Sequence, residues 1–503
     1  MMRRDLALLA GREHDLLVVG GGIHGLMTAY DAAQRGLSVA LLERADFGAA
    51  TSFNHLKTLH GGLRYLQTLD LSRMRESIRE RRAFARMAPR FIAPLAFVMP
   101  TSATATRNPL ALSLALAVDA AIAADRNQGV DASRRLPAGK LLSASACARS
   151  FDGVRTNIRS AGVMWYDYET IQGDRLTLSV AVAAAKNGAA LANYAEAVKP
   201  LRDSASRIIG VSARDRLTGT QFDVRARTVV NAAGPWTAPF LRQCGIDRRW
   251  PLLKAINLVT TRPAKSVALV SPTRAGRALV LLPWQGRTLI GTSESVQATV
   301  ADDQLVASQE IATFIQEINH TFPALELTAG EVSLVHRGVV PAASRNGRLS
   351  LLGHSDVLDH AREGVKELIS IVGVKYTTAR AVAERTVDLA LRKLGRGPIR
   401  CRTAEELLPG ASRADQPAAA PVLAAQVLHA IRSEMAYTLI DVVVRRTGLG
   451  AAAHPEAATV LECARTMQPE LGWSDERVGR EIDELRKFYE IGQVGSDPNL
   501  RKT

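Results

Sequence analysis

The sequence predicts an α/β protein in which a Rossmann-like nucleotide-binding domain is interrupted by a β-rich domain and followed by an all-helical C-terminal domain. Three observations carry this prediction. Near the N-terminus a glycine-rich turn joins an apolar run to a helical pattern. Further strand-like runs are dispersed through the middle of the chain, too widely for a simple doubly wound sheet. From Val422 to Tyr489 the helical periodicity is almost uninterrupted.

The first unit reads in order. Asp15 to Val19 is a short apolar run of the kind found in buried parallel strands. Ile23 to Arg35 has helical spacing and stops at Gly36, a C-terminal glycine. Leu37 to Leu42 is a second apolar run, which completes a βαβ unit. Between strand and helix, Gly20, Gly22 and Gly25 match GxGxxG. Gly20 permits the tight turn, Gly22 lets the backbone approach a pyrophosphate, and Gly25 lets helix and strand pack closely. The helix N-terminus offers unpaired N–H groups to phosphate. Glu43 ends the second strand, 18 residues after Gly25. A carboxylate there accepts hydrogen bonds from a ribose diol and disfavours a 2′-phosphate. The unit predicts dinucleotide binding and by itself does not separate NAD from FAD.

Next come Thr51-Ser52, Lys57 and the run His60-Gly61-Gly62-Leu63-Arg64-Tyr65. Paired glycines between histidine and arginine predict backbone close to a flat ligand, with basic side chains nearby. Leu71 to Met87 is helical, and eight arginines against three acids give residues 61–90 a local net charge of +5. That face either is simply solvated, or meets anionic lipid or guides an anionic substrate. Pro109 to Ala124 is apolar but carries Asp119 and is shorter than the roughly 20 residues of a membrane span. It reads as a buried core helix or as a docking face at a bilayer. Strand-like runs follow at Arg207 to Ala213, Thr228 to Asn231, Leu279 to Leu282, Thr288 to Gly291 and Glu367 to Val372. Pro409 to Ala420 is rich in Pro, Ala, Gly and Ser and reads as a linker.

Composition narrows the function classes. The 503 residues include 47% hydrophobic and 22% charged, an ordinary globular balance, with a formal charge of +15. Such a charge suits nucleic acid, an anionic membrane surface or a phosphorylated small molecule. Aromatics are only 5% and are not interleaved with the arginines, so no nucleic-acid role is expected. The four cysteines form no CxxC pair, so neither a metal site nor a disulfide framework is expected, and a reducing compartment is. Met1 to Ala10 is too short and too charged for a secretory leader.

At HGGLRYL (His60 to Leu66) the chain resembles the FAD-dependent glycerol-3-phosphate dehydrogenases, within the D-amino-acid-oxidase-like flavoproteins. Val229-Val230-Asn231-Ala232-Ala233-Gly234-Pro235-Trp236 is similar to the family's strand-end return to the flavin nucleotide. Leu282-Pro283-Trp284 with Ile290-Gly291-Thr292 resembles its substrate-domain hairpin, and Gly373-Val374-Lys375-Tyr376-Thr377-Thr378-Ala379-Arg380 its final flavin-contacting turn. Glu434, Ala436, Thr438, Asp441 and Arg445-Arg446-Thr447 resemble the signature of its helical C-terminal domain.

The resemblance implies an FAD-dependent oxidoreductase domain over 14–404, with FAD-binding parts at about 14–90, 150–236 and 345–395 and a substrate domain at about 237–344. A linker (405–421) and a helical domain (422–503) follow. It implies FAD contacts at Gly20, Gly22, Gly25, Glu43, Thr51, Ser52, Lys57, Gly61, Gly62, Leu63, Ala233, Gly234, Trp236, Gly373, Lys375 and Thr377. Arg64 and Lys375, with Thr377 beside them, are candidates for the substrate phosphate and hydroxyls, and His60 or His336 for the base. The implied reaction oxidises glycerol 3-phosphate, or a close polyol phosphate, to dihydroxyacetone phosphate by hydride transfer to FAD N5, with quinone or another acceptor taking the electrons. The alternative is a related flavoprotein acting on another alcohol or amine. A cytoplasmic protein is expected, peripheral on the inner face of the membrane, and a homodimer is a further expectation. Two positions depart from the family pattern. Val340 stands in Gly338-Val339-Val340-Pro341 where the family has arginine, and Asn257 follows Lys254-Ala255-Ile256 where it often has histidine. His336 and Arg337 are the nearby residues that would have to compensate.

Overall fold

The computed structural model describes residues 2–490 except 103, 105–106, 156–157, 304, 346–347 and 413–421. Its elements relevant to the site run in order. β1 (Glu13–Val19), α1 (Ile23–Gln34) and β2 (Val39–Leu42) form the predicted βαβ unit. α2 (Leu71–Met87), β3 (Ile92–Pro100), α3 (Pro109–Ile122), β4 (Gly162–Thr170), α4 (Gly173–Lys186), β5 (Ala190–Ala192) and β6 (Gln221–Asn231) follow. Then come β7 (Leu252–Pro263), β8 (Ala268–Pro272), β9 (Ala278–Trp284), β10 (Arg287–Glu294), β11 (Val332–Arg345), β12 (Asp356–Asp359) and β13 (Leu368–Val372). The helices α5 (Ala379–Lys393), α6 (Leu423–Glu434), α7 (Ala457–Leu471) and α8 (Asp475–Tyr489) complete the chain.

Two sheets carry the architecture. The first has the order β12-β13-β6-β1-β2-β5. β1 is parallel to both β2 and β6, which places Val19 beside Leu42 and Asn231. Six of its seven residues are buried, as a continuous apolar run between parallel neighbours requires. Helices α1, α4 and α5 cover this sheet on one face. The second sheet runs β11-β7-β10-β9-β8-β3-β4. It thus draws β3 and β4 from chain well before residue 237, so the β-rich layer is wider than a 237–344 span. The reason is long-range pairing: β8 takes β3 as a parallel neighbour, and β3 pairs β4 along its whole length.

The C-terminal helices share one apolar core with this second sheet. Val427, Val443, Cys463 and Leu485 pack with Phe53, Val259, Trp284 and Leu334. Between α6 and α7, residues Asp441–Arg446 form a π-helical turn. Of the expected linker 405–421, residues 413–421 lie outside the described residues, as do residues 491–503 of the helical segment.

Two helices differ from a simple reading. The arginines of α2 do not all face water. Arg81 is buried and paired with the buried Asp167, while Arg75 and Arg82 both bind Asp125. Acids outside the 61–90 window therefore offset part of its charge. In α3 only Leu112 is buried, whereas Leu110 and Leu114 are 83% and 67% exposed. That corrects the core-helix reading and leaves an apolar face in solvent. No helix among the described residues is long and apolar enough to cross a membrane.

Glu169, in β4, offers a pH test. Burial pushes its carboxyl up to about 7 from an ordinary 4.5. An acid whose folded pKa is raised stabilises the fold most below its unfolded value and loses that stability as pH rises through about 7. Glu169→Gln is therefore expected to raise the melting stability at about pH 8, by up to about 3 kcal/mol, and to change little at about pH 4. Thermal unfolding at both pH values checks this.

Candidate functional site

The site begins where β1 ends. Gly20 has φ of +107°, and a Cβ there would lie 2.5 Å from the Ala232 carbonyl oxygen. Gly25 packs tighter still, since a Cβ would lie 1.9 Å from the Gly20 oxygen. Only glycine lets α1 start so close to the sheet. Gly22 is the N-cap of α1 and gives it no side-chain cap, while Ser52 Oγ accepts the Ile23 N–H at 2.9 Å. Glu43 is half-buried, and its two carboxylate oxygens accept the N–H groups of Gly21 (2.6 Å) and Ala45 (2.7 Å). Burial raises its pKa, and those two backbone donors pull it down again.

A cavity of about 570 Å³ opens from this turn and runs between the two sheets. Its walls include the predicted Gly20, Gly22, Glu43, Thr51, Ser52, Ala233, Gly234, Trp236, Gly373 and Lys375. Thr51 is itself tied down, its hydroxyl donating to the Val339 carbonyl at 2.9 Å. At the Glu43 end the Arg44 guanidinium lies 3.8 Å from the Trp236 ring centroid, and Trp236 Nε1 donates to Asp302 at 2.7 Å. Lys375, Tyr376, Asn257 and Val340 line the cavity as well. The Lys375 ammonium lies 4.4 Å from the Tyr65 ring centroid and contacts the Tyr65 hydroxyl. Gly373 meets the flat side of His24, where a Cβ would lie 2.5 Å from the ring. Burial and Arg385 lower that histidine to about 4.

Several expected residues stand elsewhere. Lys57 is fully buried behind the wall, with Nζ donating to the Phe53 carbonyl at 2.6 Å and Asp174 4.0 Å away. His336 is buried against Phe53 and Trp284, and neither ring nitrogen has a hydrogen-bond partner. Burial, Lys57 and His55 hold it well below its ordinary pKa. It lies two residues before Gly338 on the same strand face, is fully buried and does not line the cavity, so the structure offers it no contact with a ligand there. Arg337, between them, turns to the opposite face beside Ile256, so it does not compensate for Val340. Asn257 lines the wall but is built into the scaffold: it donates to the Asn54 carbonyl at 3.1 Å and accepts from Thr292 at 2.7 Å.

Gly61, Gly62, Leu63, His60 and Thr377 form a separate layer that does not line this cavity. There the His60 N–H donates to Thr377 Oγ1 at 3.2 Å. Asp167 accepts the Gly61 N–H at 2.6 Å, binds Arg81 and lies 3.7 Å from His60 Nδ1. Burial would raise this carboxyl, but Arg81 and His60 hold it below its usual value. The Arg64 side chain lies outside the described residues.

Sequence reasoning missed Asp167, although an acid in the middle of the run Trp165-Tyr166-Asp167-Tyr168 is a signal of a buried partner. It also missed His55, for which no periodicity gives a signal. That ring lines the cavity, stacks on Tyr376 at 4.6 Å and accepts the Lys57 N–H through Nδ1. Burial with Lys57 keeps it well below its ordinary pKa, hence neutral.

The glycine turn, the helix N-terminus behind it and the half-buried carboxylate together fit a dinucleotide diphosphate. Comparison with known proteins decides which one. The family described as FAD dependent oxidoreductase matches residues 15–389, and that of the C-terminal domain of alpha-glycerophosphate oxidase matches residues 402–478. The mitochondrial glycerol-3-phosphate dehydrogenase of Mesocricetus auratus is 30% identical over 98% of this chain and 76% of its own length. The chain belongs to the FAD-dependent glycerol-3-phosphate dehydrogenase family. A Synechocystis glycerol-3-phosphate dehydrogenase is 28% identical over 97% of this chain and 98% of its own. The Bacillus halodurans glycerol-3-phosphate dehydrogenase, solved with FAD, shares the fold with a TM-score of 0.73 at 23% identity over 96% of each chain. The protein is thus an oxidoreductase and its cofactor is FAD.

Gly25→Ala is expected to purify colourless, because helix and strand must part and the phosphate turn opens. Gly397→Ala, where a Cβ meets nothing, is expected to stay yellow. The visible absorbance of the two proteins checks both statements.

Proposed function

We propose that this protein oxidises glycerol 3-phosphate to dihydroxyacetone phosphate. The observation that carries the reading is one cavity lined by the Gly20–Gly22 turn, Glu43 and Lys375 together. Bound FAD supplies the hydride acceptor at N5. The N–H groups at the start of α1 would hold the cofactor's diphosphate and the Glu43 carboxylate its ribose hydroxyls. Lys375 places an ammonium at the substrate end, where it attracts the phosphate and polarises the hydroxyl. Arg64, the residue before Tyr65, is the second candidate cation. His60 stands beside the cavity wall, in the turn tied to Thr377 two residues after Lys375, and is the residue we assign to take the hydroxyl proton; Asp167 lies 3.7 Å from its ring. Thr377 orients that turn by accepting the His60 N–H.

The electrons then pass to an acceptor, and quinone in a bilayer is the reading we favour. Its support is α3, whose Leu110 and Leu114 stand in solvent and whose other end meets α2, where Arg75 donates to the Ile122 carbonyl. An exposed apolar face on a basic chain suits adsorption to anionic lipid without spanning it.

Anaerobic glycerol 3-phosphate is expected to bleach the yellow protein, and unphosphorylated glycerol is not. Failure of glycerol 3-phosphate to bleach a flavin-loaded preparation would overturn the reading. Lys375→Ala is expected to lower kcat/KM by about 100-fold or more while FAD stays bound, the scale for removing one charged group at a developing charge. Steady-state kinetics alongside the flavin-to-protein ratio measures both.

A further inference from the structure

The C-terminal helices reach the FAD site through a buried charge cluster. The π-helical turn between α6 and α7 presents Arg445 and Arg446 to Asp46. Arg446 grips both carboxylate oxygens of Asp46, at 2.6 and 2.7 Å, and Arg445 Nε donates to one of them at 2.6 Å. Arg445 also holds Asp441 at 2.5 Å, and Asp441 in turn accepts the Tyr194 hydroxyl at 2.7 Å. Asn193 donates to the second Asp46 oxygen at 3.0 Å. All four charged residues are buried.

Where Asp46 sits gives the cluster its meaning. It lies three residues after Glu43, in a loop that braces the glycine turn at both ends. At one end the Glu43 carboxylate accepts the Gly21 N–H; at the other the Gly48 N–H donates to the Gly21 carbonyl at 2.9 Å. Between them Tyr194 N–H holds the Ala45 carbonyl at 2.9 Å. Asp46 is thus the point at which the C-terminal helices hold the middle of a loop fixed to Gly21 on either side.

A buried ion cluster is a poor way to add stability, because desolvation opposes it. The helices already have an apolar core in common with the second sheet through Val442, Val443 and Val444. What the charges add is position. We infer that the C-terminal helical segment clamps the cofactor loop, with Arg445 and Arg446 acting through Asp46 as positioning residues for the adenosine end of FAD. The inference goes beyond the proposed substrate: it concerns how tightly cofactor is kept, whatever the enzyme oxidises.

The test uses the full-length holoenzyme. FAD release is followed by the rise of flavin fluorescence after dilution into FAD-free buffer, for Asp46→Asn, Arg446→Gln and the double variant. Release about tenfold faster or more is expected for each single variant, the scale on which losing an outer-shell partner weakens a bound group. The double variant should be no worse than either single one, and excess FAD should restore turnover. Glu470→Gln, which breaks an exposed pair with Arg432 in the same segment, should release FAD like the parent. Should Asp46→Asn fail to fold, Arg446→Lys keeps the charge and loses the two-pronged grip, and it too should release FAD faster. Release rates equal to the parent's in the folded variants, even with a lowered melting temperature, would overturn the inference.

Discussion

One close backbone approach sets the rest of the structure. α1 begins so near the end of β1 that a methyl group on Gly25 would sit inside the Gly20 carbonyl. That contact aims the helix N-terminus at the space beyond the sheet, where β1, β2 and β6 all end within a residue of each other. The strand ends then determine what lines the space: Gly20 from β1, Glu43 from β2, and Ala233 with Gly234 from β6. Ligands gather at such an edge because peptide dipoles and unpaired N–H groups converge there while the strands supply rigidity.

Charge is handled by pairing across long sequence distances. Arg380 on α5 binds Glu80 on α2 through two bonds of 2.7 Å, and both are buried. Arg81 and Asp167 do the same for the His60–Gly61 turn, as do Arg445, Arg446 and Asp46 for the cofactor loop. Each pair ties a segment named for its motif to an element without one. The basic balance of the chain is therefore partly internal scaffolding, which is why the net charge of +15 by itself identified no partner.

The legible parts of the sequence were those governed by backbone. Gly20 and Gly25 require glycine because a Cβ on either would meet backbone, whereas Gly22 has an ordinary φ and only Ser52 Oγ close by; Glu43 follows from the length of a βαβ unit. Each strand-like run likewise overlaps a strand, with Leu37, Arg207 and Glu367 starting one or two residues early, since apolar runs mark burial between neighbours. Partner choice was not legible: nothing in Ile92 to Pro100 says that it will pair Gly162 to Thr170 and lie beside Ala268. Side-chain destination was harder still. Lys57 and His336 carry polar atoms that suggest a ligand, yet register and the neighbouring Phe53 and Trp284 place both behind the wall. His55, two residues from Lys57, takes the wall position instead. Short of the three-dimensional packing, no pattern distinguishes these two destinations.

The substrate end follows from the same geometry. Along β11, Gly338 and Val340 face the cavity while Arg337 faces away, so the cationic character of that wall cannot come from this strand. Asn257 on β7 spends its amide on Asn54 and Thr292 and contributes shape more than charge. Arg44 also lines the cavity, held against Trp236 with Asp302 3.5 Å away. Lys375 lines it as well, with Tyr65 beside its ammonium, His24 under Gly373, and the Val374 N–H donating to Ser355 at 3.1 Å. Among the described residues, the cations of this wall thus come from the loops after β2 and β13, which long-range packing brings together, and from neither β7 nor β11.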